Sequence, residues 1–356
     1  MRSIYIGSTG PGSGRSLMAW ALGRRLTKGH ERIGFFKPYE VEVASEKGVR
    51  IDPDARLMSE SLGIGLESGA LCSVTFEGPA PKNMDAELTA ELMGMIETGF
   101  EKASSGKDAM IVMGSSELFF DTGPIELRDA AFIENFDSDV LLLDRYRTRS
   151  TSIYSILSIN SFLGARVKAA IINRIPTLEL EEVVTSVIPL LMDKGLERVI
   201  AIPEDTTLAA RSVRNVVEAL DGDVLSGRKR MDNLVDFYTI GSTHLTGTLA
   251  MLRMVHNKIV LVSPDQRDEG GDGNGPKAHG IVLTGGRLPN ESIVKICKEN
   301  RIPLINVHAD TFTCMDRLEA MNPPITTADT LKIERFEEWI ERSGGVDRLI
   351  EPFLSH

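Results

Sequence analysis

Residues 7–16 read Gly-Ser-Thr-Gly-Pro-Gly-Ser-Gly-Arg-Ser, directly after the apolar run Ser3-Ile4-Tyr5-Ile6 and directly before an apolar-periodic stretch, Leu17 to Leu26. A strand, a glycine-rich turn and a helix in that order bring backbone N–H groups and the positive end of a helix dipole to one point, which is what a phosphate group needs. Gly10, Gly12, Ser13, Gly14, Arg15 and Ser16 are the candidate phosphate contacts, and the Ser16 hydroxyl is the candidate ligand of a magnesium ion. The loop departs from the usual Walker A pattern twice, with Thr9 in place of the leading glycine and Arg15 in place of the lysine. Arginine keeps the charge but replaces a compact ammonium with a planar fork, which changes the geometry at the terminal phosphates. A glycine-rich turn with no ligand is the other reading this loop leaves open.

The rest of the chain bounds what surrounds that loop. At 356 residues, 42% of them hydrophobic, it can bury one large core or two ordinary ones, and two domains is the expectation. A net charge of −11 with no segregated basic stripe argues against nucleic acid and anionic membranes as partners. Cys72, Cys297 and Cys314 are dispersed and odd in number, which excludes a CxxC metal site or a disulfide framework and fits small core residues in a reducing compartment. Met1 leads straight into a strand, and no apolar run reaches the roughly 18 residues of a membrane span. The expectation is a soluble, cytoplasmic protein.

Over the first 220 residues, short apolar runs alternate with helical patterns. Strands are expected at Ser3 to Ile6, Arg32 to Phe36, Ala109 to Val112, Val140 to Leu143, Val167 to Ile172 and Arg198 to Ile202. Helices are expected at Leu17 to Leu26, Ala86 to Ala103, Ser152 to Leu163 and Leu178 to Lys194. Continuously apolar strands separated by helices predict a parallel sheet covered on both faces, with ligands at the C-terminal edge of its strands.

The charged segment Asp221 to Asp232 reads as a linker or exposed turn, so the expected domains are 1–222 and 223–356. Beyond it, strands are expected at Val235 to Ile240, Lys258 to Val262, Gly280 to Leu283 and Pro303 to Asn306. Helices are expected at Leu245 to Val255, Asn290 to Asn300 and Thr313 to Met321, with a glycine-rich loop at Glu269 to Pro276. Ala328 to Phe353 closes the chain with amphipathic helices.

Taken together, Ile4 to Thr9 with Gly14-Arg15-Ser16, then Gly34-Phe35-Phe36-Lys37-Pro38, Ala170 to Arg174 and Ile202-Pro203-Glu204-Asp205 resemble the dethiobiotin synthetase-like P-loop family. That family is shared with cobyrinate a,c-diamide synthases and the amino-terminal region of long phosphotransacetylases. Residues from about 223 to 325 resemble a DRTGG domain, on Asp265 to Asp268, Leu283 to Gly286 and His308 to Thr311. The resemblance implies a P-loop NTPase-like α/β sheet followed by a smaller α/β regulatory module, the arrangement that precedes the catalytic part of long phosphotransacetylases.

The resemblance also implies roles. Lys37 matches a lysine that holds phosphate and substrate carbamate, the alternative being a solvated lysine in a turn. Asp52 and Asp54 match magnesium carboxylates, or else cap a helix beside Pro53. Asn173 matches an adenine contact, and Pro203 to Asp205 the wall of a base pocket, the alternatives being a strand-end turn and a helix start. Where relatives carry a magnesium glutamate after the third core strand, this chain has Met113, a soft thioether that does not replace a carboxylate; Glu117 is the nearest substitute. Arg145, Arg147 and Arg149 follow the next strand, as anion ligands or as solvated charges.

In the second module Asp265, Arg267, Thr284, Gly285, Gly286, Asp310 and Thr311 are the candidate regulatory-ligand residues, with the arginine one position later than the family pattern. His244, His279 and His308 have no metal-ligand spacing, and Gly241 to His244 is a strand-to-helix turn. The expected function is nucleotide binding, ATP or another nucleotide with Mg2+, in a homodimeric regulatory or sensor protein. The alternatives are an ATP-dependent carbon–nitrogen ligase, with Lys37 catalytic, and an interaction scaffold with an empty loop.

Overall fold

The computed structural model describes residues 1–29, 31–40, 45–46, 49–50, 52–64, 71–76, 84–115, 118, 127–235, 238–240, 259–262, 279–286 and 291–354. The chain divides into two units: Met1–Asp205 together with Pro324–His356, and Thr206–Pro323.

The first unit is built on seven parallel strands, β1 (Arg2–Ser8), β2 (Ile33–Glu40), β3 (Cys72–Thr75), β4 (Ala109–Met113), β5 (Asp139–Arg145), β6 (Val167–Ile175) and β7 (Arg198–Pro203), in the order β3-β2-β4-β1-β5-β6-β7. Every side chain of β4 is buried, as expected of a central strand covered on both faces. The six expected strands are present, each extended by one to several residues, and β3 is an addition at the edge. The helices that position the site are α1 (Arg15–Lys28), α2 (Pro53–Leu62), α3 (Ala86–Ser104), α4 (Asp129–Asn135) and α5 (Arg149–Leu163). The expected helix from Leu178 to Lys194 forms as Leu180–Glu182, a π turn at Val183–Val187, and Ile188–Asp193. One face of the sheet is sealed by aromatic rings, Phe100 stacked on Phe136 at 4.0 Å with Phe36 meeting both edge-on.

The second unit carries α6 (Val213–Leu220) and a five-stranded sheet of β8 (Asp223–Ser226), β9 (Tyr238–Ile240), β10 (Ile259–Val262), β11 (Gly280–Leu283) and β12 (Leu304–Asn306), with α7 (Glu291–Glu299) and α8 (Thr311–Ala320). The order is β8-β12-β11-β10-β9, with β11 and β12 parallel and the other pairs antiparallel. Of the linker or exposed turn expected at Asp221 to Asp232, the part before Gly227 is instead strand β8, an edge strand paired with β12 whose charge lies at its exposed end, while Arg228–Arg230 form a 3-10 turn. Gly227 turns the chain out of β8 at φ 76°, where a Cβ would meet the Pro303 backbone at 2.5 Å.

The compact units divide differently from the expected boundary at 222/223, which groups the C-terminal helices with the second domain. The second unit runs from Thr206 to Pro323, and the chain then returns to the first. The cause is the apolar stripe of α9 (Thr330–Arg342), Ile333, Phe336 and Ile340, which is buried against α1 and β7, followed by α10 (Val346–Ile350) against β7. The Ser343 hydroxyl donates to the Ala201 carbonyl on β7, the outermost strand, at 3.0 Å. The smaller unit is therefore an insertion within the larger one. No helix among the described residues is long and apolar enough to cross a membrane. The expected helix at Leu245 to Val255, the loop at Glu269 to Pro276 and the turn at Gly241 to His244 lie outside the described residues.

Candidate functional site

Strand β1 ends at Ser8 and the chain turns into α1 through Gly14, its N-cap, with Gly12 at φ 70° and Gly14 at φ 101°. Gly14 is required twice over, because a Cβ there would lie 2.8 Å from the Asn173 amide nitrogen. The loop is pinned from the ends of neighbouring strands. Ser8 Oγ lies 2.8 Å from the Gly10 carbonyl and 2.7 Å from the Ser13 hydroxyl; Thr9 donates to Asp144 Oδ1 at 2.6 Å; the Asn173 amide donates to the Ser13 carbonyl at 2.7 Å; and Arg145 donates to the Pro11 carbonyl at 3.1 Å. Helix α1 has no side-chain cap and no acidic residue in its first turn, so its N-terminal N–H groups and dipole are left for an anion.

Arg15, in the lysine position, donates to the carbonyl of Gly114, just past β4. Ser16 donates to Asp54 Oδ1 at 2.6 Å. Lys37 is not a solvated turn residue: it lies within β2, buried, with its ammonium 2.8 Å from Asp52 Oδ2 and 3.1 Å from Asp54 Oδ2. Asp52 is the N-cap of α2, its Oδ1 accepting from Ala55 N at 2.7 Å. Both Asp52 oxygens are thus engaged by Lys37 and the helix cap; both Asp54 oxygens are engaged too, one of them by the Ser16 hydroxyl, and that adjacent pair of hard oxygens could hold magnesium. Met113 is fully buried and offers no such oxygen.

Two buried carboxylates were not singled out in the sequence. Asp129, the first residue of α4, accepts from the Ser115 backbone and hydroxyl at 3.1 and 3.0 Å. Burial pushes its carboxyl up to about 6, against the opposing pull of those hydrogen bonds and of Arg15. Asp144 closes the apolar run of β5, and burial raises its carboxyl above the usual range. A charge ending an apolar strand at the ligand edge was a legible signal for Asp144; Asp129 gave none. Asp144 lines a cavity of about 510 Å³ beside the loop, with Ser8, Thr9, Arg145, Arg147 and Thr151. Arg149 is turned to an ion pair with Glu182.

At the end of β6, Asn173 spends its amide on the Ser13 carbonyl and its Oδ1 on the Arg174 N–H, Arg174 being left-handed at φ 62°. Pro203 ends β7, and the Glu204 N–H bonds back to the Ile175 carbonyl at 2.8 Å. Asp205 is not an exposed helix start: it is buried and accepts from Arg335 Nε at 2.7 Å and Trp339 Nε1 at 2.9 Å. A short helix begins one residue later, at Thr206.

In the inserted unit, β11 and β12 bring Thr284 and Thr311 together, their hydroxyls 2.8 Å apart and buried. Gly285 and Gly286 are both left-handed and bond to the Ala309 and Val307 carbonyls. Asp310 caps α8 through Phe312 N and Thr313 N. Asp265, Arg267, His244 and Glu117 lie outside the described residues. The His279 ring lies against the Leu234 carbonyl, and no cluster of metal-ligating side chains occurs among the described residues.

With the loop and strand order in place, comparison with known proteins is informative. An AAA domain family matches residues 2–212, and a DRTGG domain matches 215–321. The chain belongs to that AAA domain family. Its P-loop part is dethiobiotin synthetase-like, and curated relatives named phosphate acetyltransferase match most of the chain. That of Synechocystis sp. is 23% identical over 350 residues, covering 93% of this chain and 49% of the relative. That of Nitratidesulfovibrio vulgaris is 23% identical over 370 residues, covering 98% and 52%. The chain spans about half the length of these relatives. Among solved structures, the MinD cell division protein of Aquifex aeolicus matches at 16% identity and a TM-score of 0.32, over 59% of this chain and 84% of that one. MinD of Pyrococcus horikoshii, in complex with Mg-ADP, matches at 14% and 0.31, over 58% and 83%. The AAA-family chain thus pairs a P-loop domain with an inserted DRTGG domain.

Proposed function

We propose that the chain is a nucleotide-binding regulatory protein rather than a phosphoryl-transfer catalyst. The observation that carries this reading is the contrast within the phosphate loop's own surroundings. The cradle is shaped and pinned, with Ser16 and Asp54 side by side at 2.6 Å, while Met113 is buried where a third metal carboxylate would be needed. Binding needs the cradle; phosphoryl transfer also needs metal and cation aligned on the terminal phosphate. When bound, magnesium would supply charge neutralisation between phosphates; Ser16 and Asp54 would hold it, and Lys37 would keep Asp54 oriented toward Ser16.

Isothermal calorimetry with ADP, ATP and GTP, each with and without magnesium, tests the reading. The expected outcome is micromolar or tighter binding of at least one of them, weakened in Arg15→Ala by about 1.5–3 kcal/mol as a charge-assisted contact is lost. Unchanged affinity in that variant moves the site elsewhere. Sedimentation of the full chain should show a cytoplasmic-type soluble homodimer, and a strict monomer removes that part of the proposal.

A second reading, an ATP-dependent carbon–nitrogen ligase with Lys37 catalytic, is favoured by the cavity of about 510 Å³ beside the loop, which has room for a small acceptor next to Thr9 and Arg145. Sustained turnover of ATP with dethiobiotin or corrinoid precursors decides for the ligase. Neither reading assigns the acetyl transfer of the longer relatives to this chain.

A further inference from the structure

The insertion leaves the P-loop unit at Asp205 and returns to it at Pro324. Within the P-loop unit, the first crossing is held by the helix that follows the second. The Asp205 carboxylate, with its side chain 2% exposed, accepts from both Arg335 and Trp339 of α9. The guanidinium carbons of Arg335 and Arg342 each lie 4.9 Å from the Trp339 ring centroid, and Glu338 bridges the two arginines. One helical turn of α9 therefore holds a buried anion at the last residue before the insertion.

The same turn comes close to the phosphate loop. Phe336, fully buried, lies 3.8 Å from the point where a Gly14 Cβ would be, beside the Asn173 amide that grips the Ser13 carbonyl. Gly14 is the left-handed N-cap through which the loop enters α1, so its backbone angle sets where the first N–H groups of that helix point. A displacement of α9 opens a gap beside Gly14 and Asn173, and a packed interior does not deform smoothly to close it.

We propose that α9, latched onto Asp205, is a positioning element of the phosphate loop, so that the order of the loop depends on a contact made at the junction with the inserted unit. The proposal rests on the phosphate-binding reading of the loop, but its first readout does not. Arg335 and Trp339 act through Phe336 and Gly14, and the residue they hold, Asp205, is the last before the insertion. Any change that pulls on either crossing is thereby presented to the loop.

Hydrogen exchange on the full chain, wild type against Asp205→Asn and Trp339→Phe, tests this. The expected result is faster exchange in 8–18 as well as in 330–342, with exchange in α3 unchanged, and MgADP affinity lowered by about tenfold, within ordinary coupling between sites. In the wild type, MgADP should slow exchange in 330–342. If Asp205→Asn unfolds the unit, Trp339→Phe, which removes one donor and keeps the ring, carries the comparison. Latch variants whose exchange rises only in 330–342, with 8–18 as in the wild type, overturn the proposal. A wild type that binds none of ADP, ATP and GTP with magnesium overturns the nucleotide reading, while exchange in 8–18 still decides for or against the latch.

Discussion

The two units differ in what they bury. The P-loop unit encloses Lys37, Asp52, Asp129, Asp144, Asp205 and Lys332, whereas the polar side chains buried among the described residues of the inserted unit are Ser226, Thr284, Asn306 and Thr311. A buried charge is costly unless paired, so a fold that keeps six of them must hold each in place. The pairing is visible for Lys37 with Asp52 and Asp54, for Asp205 with Arg335 and for Lys332 with Asp329. Among its described residues, the inserted unit buries only neutral polar groups. Among the described residues, buried charge is thus concentrated in the unit that carries the phosphate loop.

The strongest way to break this contrast is to remove the central cation. Lys37→Met removes the ammonium shared by Asp52 and Asp54 and sets a hydrophobic side chain beside buried Asp52, whose helix cap stays intact. The expected loss is about 3–5 kcal/mol, the usual result of unpairing a buried ion. Trp20 and Trp339 both belong to the P-loop unit, so tryptophan emission in urea follows that unit alone. A midpoint within error of the wild type would show that water or another group already compensates Asp52, and the contrast between the units would lose its energetic meaning.

Asp129 gives the second test, through pH. Its carboxyl is raised from 3.8 to about 6 by burial, so between those values the folded state holds more protons than the unfolded one. Stability contributed by this group is therefore full below about 4, falls as pH rises, and is gone above about 6, a change of about 3 kcal/mol. Asp129→Asn keeps an acceptor for the Ser115 N–H and removes the titration. The variant should be the more stable protein at pH 8, with the fall between pH 4 and 6 flattened in its unfolding midpoints. A variant that parallels the wild type across that window places the titration on another group.

How much of this was legible follows the same division. The strand-loop-helix signal from Ser3 to Leu26 was correct in register because glycines and an apolar strand constrain the backbone locally. Lys37, Asp54, Ser16 and Asn173 were named from the sequence, and the structure gathers them around one loop, although Asn173 is turned to the Ser13 carbonyl. Asp129 was not legible, since only the packing of α4 beneath Ser115 gives that carboxylate a role. Nor was the return of α9: an amphipathic stripe states that a helix has a buried side, not which surface buries it. The charged run after Asp221 misled for a related reason, because an edge strand exposes one side and tolerates charges at its ends.

The smallest expected effect lies in the inserted unit, and its size is the point. Thr284 and Thr311 meet through their hydroxyls at 2.8 Å, on the parallel pair β11 and β12 and at the start of α8. Thr284→Val keeps the shape and removes one hydroxyl, which should cost about 1 kcal/mol. The double variant Thr284→Val with Thr311→Val should cost less than the sum of the single changes, because no buried hydroxyl is then left facing an apolar neighbour. Neither threonine titrates, so the cost should be the same at pH 5 and pH 8, in contrast to Asp129. Far-ultraviolet circular dichroism reports both units and tryptophan emission only the first, so the loss should appear in the former and be absent from the latter. A cost that varies with pH would mean that a charge is coupled to the threonine pair, with Asp310 at the cap of α8 the nearest named carboxylate. The inserted unit would then join the P-loop unit in using charge, and the difference between the two would be one of degree.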